Sequence, residues 1–168
     1  MSSDHGSIGV TASEVIALAH RRRATIITAE SCTAGALSTV LASASGAGSA
    51  LQGGLVTYTK QCKSALLGIP MEQLRNSAVT ADVARAMAEG ALRACLCADV
   101  AVAVTGVAGP EPDEDGNRVG LAFIAVRGRN GLSGELALDL PVATGGQVRG
   151  EIVLRGLELL RETLQRGQ

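Results

Sequence analysis

The chain has no tryptophan, one phenylalanine (Phe123) and one tyrosine (Tyr58) among its 168 residues. Without aromatic bulk, the core must be built from Ala, Val, Leu and Ile, small side chains that let helices approach a sheet closely. The same lack removes any stacking platform for nucleic acid, and a formal net charge of −1 leaves no basic face, so no nucleic-acid partner is expected. No apolar run is long enough to span a bilayer, and residues 1–10 show neither the basic nor the apolar region of a leader. A soluble, cytoplasmic protein without a membrane partner is therefore expected. Histidine is scarce too. His5 lies near the N-terminus and His20 ends the first helical stretch, so a Ser-His-Asp triad is disfavoured. Cysteine is limited to Cys32, Cys62, Cys95 and Cys97. Cys95-Leu-Cys97 has the wrong spacing for a zinc knuckle, so all four read as reduced, buried thiols and not as disulfides or metal ligands.

Hydrophobic residues make up 46% of the chain, enough for a real core, and the length suits one domain burying about 70% of its unfolded surface. The expected organisation is a flexible arm over residues 1–10 and a single domain over 11–168. Thr11-Ala-Ser-Glu14 has the capping-box form and precedes an apolar helical stripe, closed by Arg21-Arg22-Arg23 where positive charge suits the helix dipole. Thr25 to Thr28 reads as a strand, followed by a small-residue helix to about Ala42 and a flexible Ser/Gly-rich stretch to Ser49. Leu51 to Thr59 reads as a strand containing Gly53-Gly54, a pair that marks a bulge or a close approach. A short helix then carries Lys63.

Thr80 caps a long apolar-periodic helix to about Cys97, and Asp99 to Thr105 is a Val/Ala run buried on both faces. Val119 to Arg127 and Leu132 to Leu140 form a hairpin across Asn130-Gly131. A final amphipathic helix covers 146–166. This order predicts a three-layer α/β fold with a mixed, mostly parallel sheet.

In such sheets ligands bind beyond the C-terminal strand edges. Three junctions converge there: Glu30-Ser31-Cys32-Thr33, Tyr58 to Lys63, and Thr105 to Pro110. Ser31 at a strand-to-helix junction is a candidate nucleophile, with helix N–H groups beside it to hold an oxyanion; from this stretch alone the plainer reading of it or Thr33 is a helix cap. A serine without histidine needs another base, and a desolvated lysine aided by a tyrosine fits, which singles out Lys63 and Tyr58. Singly, these also read as a solvated charge and a rim aromatic. The Gly106–Pro110 loop offers backbone donors to a phosphate or oxyanion.

With these residues in view, the chain resembles the CinA C-terminal domain family, whose enzymatically active members are nicotinamide mononucleotide amidohydrolases. The resemblance rests on Thr28-Ala-Glu-Ser-Cys-Thr-Ala-Gly35, Gly53-Gly-Leu-Val-Thr-Tyr58 with Lys63 and Leu66-Leu-Gly68, Ser77-Ala-Val79, Ala103 to Pro110, Val119-Gly120 and Arg149. It implies a three-layer α/β/α fold, hydrolysis of the nucleotide's carboxamide to nicotinate mononucleotide and ammonia, and homo-oligomers. It also implies that no cofactor or metal is used. Ser31, Tyr58 and Lys63 would form the catalytic group. Glu30, Cys32, Thr33, Gly35, Gly53, Gly54, Thr105, Gly106, Gly109 and Arg149 would meet the nucleotide substrate.

Two departures stand out: Lys60 where the family often has Asn, and the acidic Glu111-Pro-Asp-Glu-Asp-Gly116 where its loop is usually glycine-rich. An acidic loop beside a phosphorylated substrate should repel it unless it points away or contacts something else. A non-catalytic nucleotide-binding or interaction module, or an amidase for another phosphorylated amide, is the alternative.

Overall fold

A computed structural model describes residues 3–141 and 144–166. Helix α1 (Ser3–Arg22) leads into strand β1 (Ile26–Glu30), then α2 (Ala36–Ala42), the short α3 (Ala47–Ala50) and β2 (Leu51–Val56). Next come α4 (Lys60–Leu67), α5 (Met71–Leu74), α6 (Ala81–Ala94) and β3 (Val100–Gly106). The hairpin β4 (Leu121–Gly128) and β5 (Ser133–Asp139) precedes the long α7 (Gly145–Arg166). The sheet order is β2-β1-β3-β4-β5, with β1 parallel to both β2 and β3, and β4 antiparallel to β3 and β5. This is the expected mixed α/β architecture.

The central strand shows how a core without aromatic bulk is made. Val100, Val102 and Val104 face one buried cluster with residues of α1, α2 and α7, while Ala101 and Ala103 face a second with α4, α5 and α6. Valine fills the wider layer, and alanine lets α6 lie close against the sheet. Packing is close where α6 crosses α4. A Cβ on Gly90 would meet the Leu67 carbonyl oxygen at 2.4 Å, so glycine is required there by space alone.

Several boundaries differ from expectation, each for a local reason. Residues expected as an arm are helical from Ser3. Thr11 Oγ1 donates back to Ser7 O at 2.9 Å instead of capping, and Ile8 packs against the core. The stretch expected to be flexible after Ala42 holds α3, anchored by buried Ala47 and Ala50. Thr80 does cap α6, accepting from Val83 N at 3.1 Å, and the Asn130-Gly131 turn closes its hairpin through Gly128 N to Leu132 O at 2.8 Å. Of the four free thiols only Cys32 is buried; Cys97 is exposed because it lies beyond the end of α6.

Candidate active site

The C-terminal ends of β1, β2 and β3 meet as expected. Ser31 N donates to Val104 O (3.0 Å) and Thr57 N to Glu30 O (2.8 Å), so the residue after β1 is clamped between its two neighbours. Lys63 sits one turn into α4, whose N-cap Thr59 accepts from Cys62 N. From there its side chain runs inward to Ser31, and Nζ stands 2.8 Å from Ser31 Oγ. Both residues are buried, Lys63 at 1% exposure and Ser31 at 7%.

The lysine's surroundings suit either protonation state. Nζ donates to Ser31 Oγ, to Thr57 O at 2.9 Å and to Tyr58 O at 3.2 Å, so all three ammonium protons have acceptors. The neutral amine would keep both carbonyls and accept from the serine hydroxyl without moving. Burial lowers the pKa of Lys63 to about 8, against weaker upward effects led by Cys32, Cys62 and Glu114. That is the tuning a general base near neutrality requires.

Tyr58 joins the site differently from the expected proton relay. Its carbonyl binds Lys63, but its phenol makes no hydrogen bond to Ser31 or Lys63, and the residue is 65% exposed at the cavity rim. Cys32 lines the cavity too, yet burial pushes its thiol up to about 12, which keeps it protonated and silent as a competing nucleophile. Thr105, Gly106 and Gly109 line the cavity as expected, with Thr105 Oγ1 donating to Ala78 O at 2.7 Å.

The other expected contacts serve the scaffold. Glu30 is fully buried, and its carboxylate caps α2 by accepting from Gly35 N (3.0 Å), Leu37 N (3.0 Å) and Ser38 N (2.8 Å). Ser38 Oγ (2.7 Å) and Thr28 Oγ1 (3.1 Å) complete its shell. Gly35 is therefore committed to this cap, and Gly54 makes room for it: a Cβ there would lie 2.7 Å from both Thr28 Oγ1 and Ser38 Oγ. The close approach signalled by the glycine pair is to this network, and neither Gly53 nor Gly54 lines the cavity. Thr33 is buried and off the cavity, its hydroxyl without a partner among the described residues.

This cap also takes up the helix N–H groups that were expected to hold an oxyanion. The N–H groups at the start of α2 are taken by Glu30, whereas among the described residues no protein acceptor takes the N–H of Cys32 or Thr33 in the preceding turn. Arg149 braces that turn, Nε donating to Cys32 O at 3.1 Å, and does not line the cavity.

The cavity, about 380 Å³, extends from Ser31 to the floor at Ala78 and Val79 and is walled by the loop Glu111–Asp115. Lys60 and Lys63 are the only lysines in the chain, and both line it. The two departures from the family pattern meet here: Lys60 Nζ pairs with Asp115 Oδ1 at 2.5 Å. A wider hollow of about 580 Å³ beside Leu18, Arg21, Arg22 and Gln165 offers no such pairing of nucleophile and base.

The comparisons with known proteins agree with this architecture. The family model for the CinA C-terminal domain matches residues 10–164. A CinA-like protein of Parasynechococcus marenigrum is 39% identical over 154 residues, covering 91% of this chain and 36% of that protein. Another, from Geobacter sulfurreducens, is 44% identical over 110 residues, 65% of this chain and 26% of the relative. The chain thus spans about a third of the length of the curated relatives it matches. Among solved structures, the competence/damage inducible protein CihA from Agrobacterium tumefaciens superposes with a TM-score of 0.89 at 33% identity, covering 94% of this chain and 95% of that one. The competence damage-inducible protein A from Klebsiella pneumoniae gives 0.89 at 30% identity, covering 96% and 99%.

Proposed function

The chain belongs to the CinA C-terminal domain family, and from that premise we propose that it is a serine–lysine amide hydrolase acting on a pyridine carboxamide. Nicotinamide mononucleotide, the substrate implied by the family resemblance, is the reference reaction. The observation that carries this reading is the buried 2.8 Å contact between Lys63 Nζ and Ser31 Oγ on the wall of an open cavity.

In the proposed sequence, neutral Lys63 takes the hydroxyl proton as Ser31 Oγ bonds to the carboxamide carbon. The oxyanion that forms is assigned to the N–H of Cys32, the neighbour of Ser31 on the cavity; one such donor is typically worth about 3 kcal/mol. When the C–N bond breaks, the Lys63 ammonium delivers the proton that lets nitrogen leave as ammonia. Water then adds to the Ser31 ester, giving its proton to Lys63, and the ester C–O bond breaks to release the carboxylic acid and restore the serine. No step calls for a metal or an organic cofactor.

Ammonia release from nicotinamide mononucleotide by the purified protein, with no metal added, tests the assignment. Intact mass after rapid acid quench is expected to show a transient nicotinate mononucleotide ester on Ser31. Turnover without that adduct, even under single-turnover conditions, would mean that Ser31 positions a water for direct attack. Absence of turnover of both the nucleotide and its phosphate-free nucleoside at millimolar concentration would favour a non-catalytic binding module of the same fold.

The pH profile follows from the lysine. Because the base must be neutral and its pKa is about 8, kcat/KM is expected to rise about tenfold per unit up to that pH and then level. The same depression acts on stability with a definite sign. Between about 8 and the ordinary 10.5 the unfolded chain binds a proton that the folded chain has released, so stability gains with pH across that window. A flat rate profile from pH 6 to 8 would remove Lys63 as the base.

A further inference from the structure

Around the dyad the cavity wall is negatively charged. Glu111, Asp113, Glu114 and Asp115 all line it, and the two lysines opposite them are already committed. Lys63 spends its protons on Ser31 and two carbonyls. Lys60 is paired with Asp115 at 2.5 Å and lies 3.8 Å from Glu114. The Lys60 and Asp115 side chains are only 15% and 11% exposed, so water and salt screen their pair weakly. Arg149, the cation expected to hold a phosphate, is turned to the Cys32 carbonyl and stands off the cavity.

The loop is fixed in this position. Asp115 Oδ2 accepts from Ala78 N at 3.3 Å, while Asp113 accepts from the backbone of Asp115 and Asn117 and from the Asn117 amide. Asn117 in turn donates to Ser77 Oγ at 3.0 Å, tying the loop to the cavity floor. The Glu114 side chain, 76% exposed and no nearer to Lys60 than 3.8 Å, remains for whatever enters. A phosphate brought here meets carboxylates and no uncommitted cation, whereas a pyridinium ring beside its own carboxamide meets the opposite charge it needs. Like-charge juxtaposition is a strong means of rejecting a ligand.

We propose that this site takes the phosphate-free pyridinium carboxamide nucleoside in preference to its 5′-phosphate, with Glu114 and the Lys60–Asp115 pair setting that choice. The inference rests on the amide-hydrolase reading and changes only the order of its substrates. Asp115 keeps Lys60 from acting as a phosphate anchor, and Glu114 favours the ring cation.

Binding is the cleanest test, because Glu114 also raises the Lys63 pKa and would confound rates. Calorimetric Kd values for nicotinamide riboside and nicotinamide mononucleotide are to be measured on the Ser31→Ala protein, at low and high ionic strength. The riboside is expected to bind about tenfold or more tightly at low salt, with the margin shrinking as salt screens the loop. Asp115→Asn, which releases Lys60, and Glu114→Gln, an exposed and shape-preserving change, should each move the ratio about tenfold toward the nucleotide. Equal or tighter binding of the nucleotide overturns the proposal, as does a ratio that neither substitution moves, or binding of neither compound. If the wild type releases ammonia from neither compound while the Kd preference persists, the hydrolase reading fails and the charge selection stands.

Discussion

Ser31→Ala is expected to reduce ammonia release by about four orders of magnitude or more while leaving the protein folded. The size follows from the absence of a substitute. Cys32, the adjacent residue on the cavity, holds its proton to about pH 12, and the Thr33 hydroxyl does not reach the cavity. Lys63 would remain as a base with nothing to deprotonate except water. The fold should survive because, among the described residues, the Ser31 hydroxyl hydrogen-bonds only to Lys63 and, at 3.4 Å, to the Tyr58 carbonyl. The clamp on β1 uses backbone atoms that alanine keeps. Ammonia assays paired with thermal melts decide the matter: more than about one per cent residual rate in a protein of unchanged Tm would exclude nucleophilic attack by Ser31.

Glu30→Ala is expected to cost about 4 kcal/mol of folding stability, a large share of the 5–15 kcal/mol typical of a domain. The carboxylate is fully buried and accepts three backbone N–H groups and two hydroxyls. Its removal strands those donors away from water at the start of α2, each a group whose desolvation is uncompensated. The damage extends to activity, since the turn between Glu30 and Gly35 carries Ser31 and its oxyanion donor. A drop in Tm of about 10 °C is the expected signature in a protein of this size. Glu30→Gln, which keeps the shape but turns an amide N–H toward other donors, should fall between the two. A loss below about 1 kcal/mol for the alanine protein would show that α2 caps itself by another route.

The fold was legible in the sequence wherever one segment's pattern sufficed. The Val/Ala run from 100 to 104 announced a strand covered on both faces, and Asn130-Gly131 announced its hairpin. Ser31 and Lys63 were legible because strand order places their junctions at one edge. What escaped were partnerships across sequence distance. Glu30 read as a site residue beside Ser31, and nothing local tells that residues 35–38 wrap its carboxylate or that Gly54 clears the space opposite. The Tyr58 role moved from phenol to carbonyl because β2 ends at Val56, and the chain geometry after it sets which atom faces inward. The acidic loop and Lys60 were each visible as departures from the family pattern; that they neutralise one another across 55 residues is a fact of three dimensions.

That the chain spends both of its lysines on one cavity and relies on arginine elsewhere has a chemical consequence. Acetyl transfer, reductive methylation or any other reaction that requires a side-chain amine has no target outside this cavity. Acylating Lys60 would erase its charge and release Asp115. The same amine reagents that serve as indiscriminate surface labels on most proteins would here report, apart from the α-amine, on a single place.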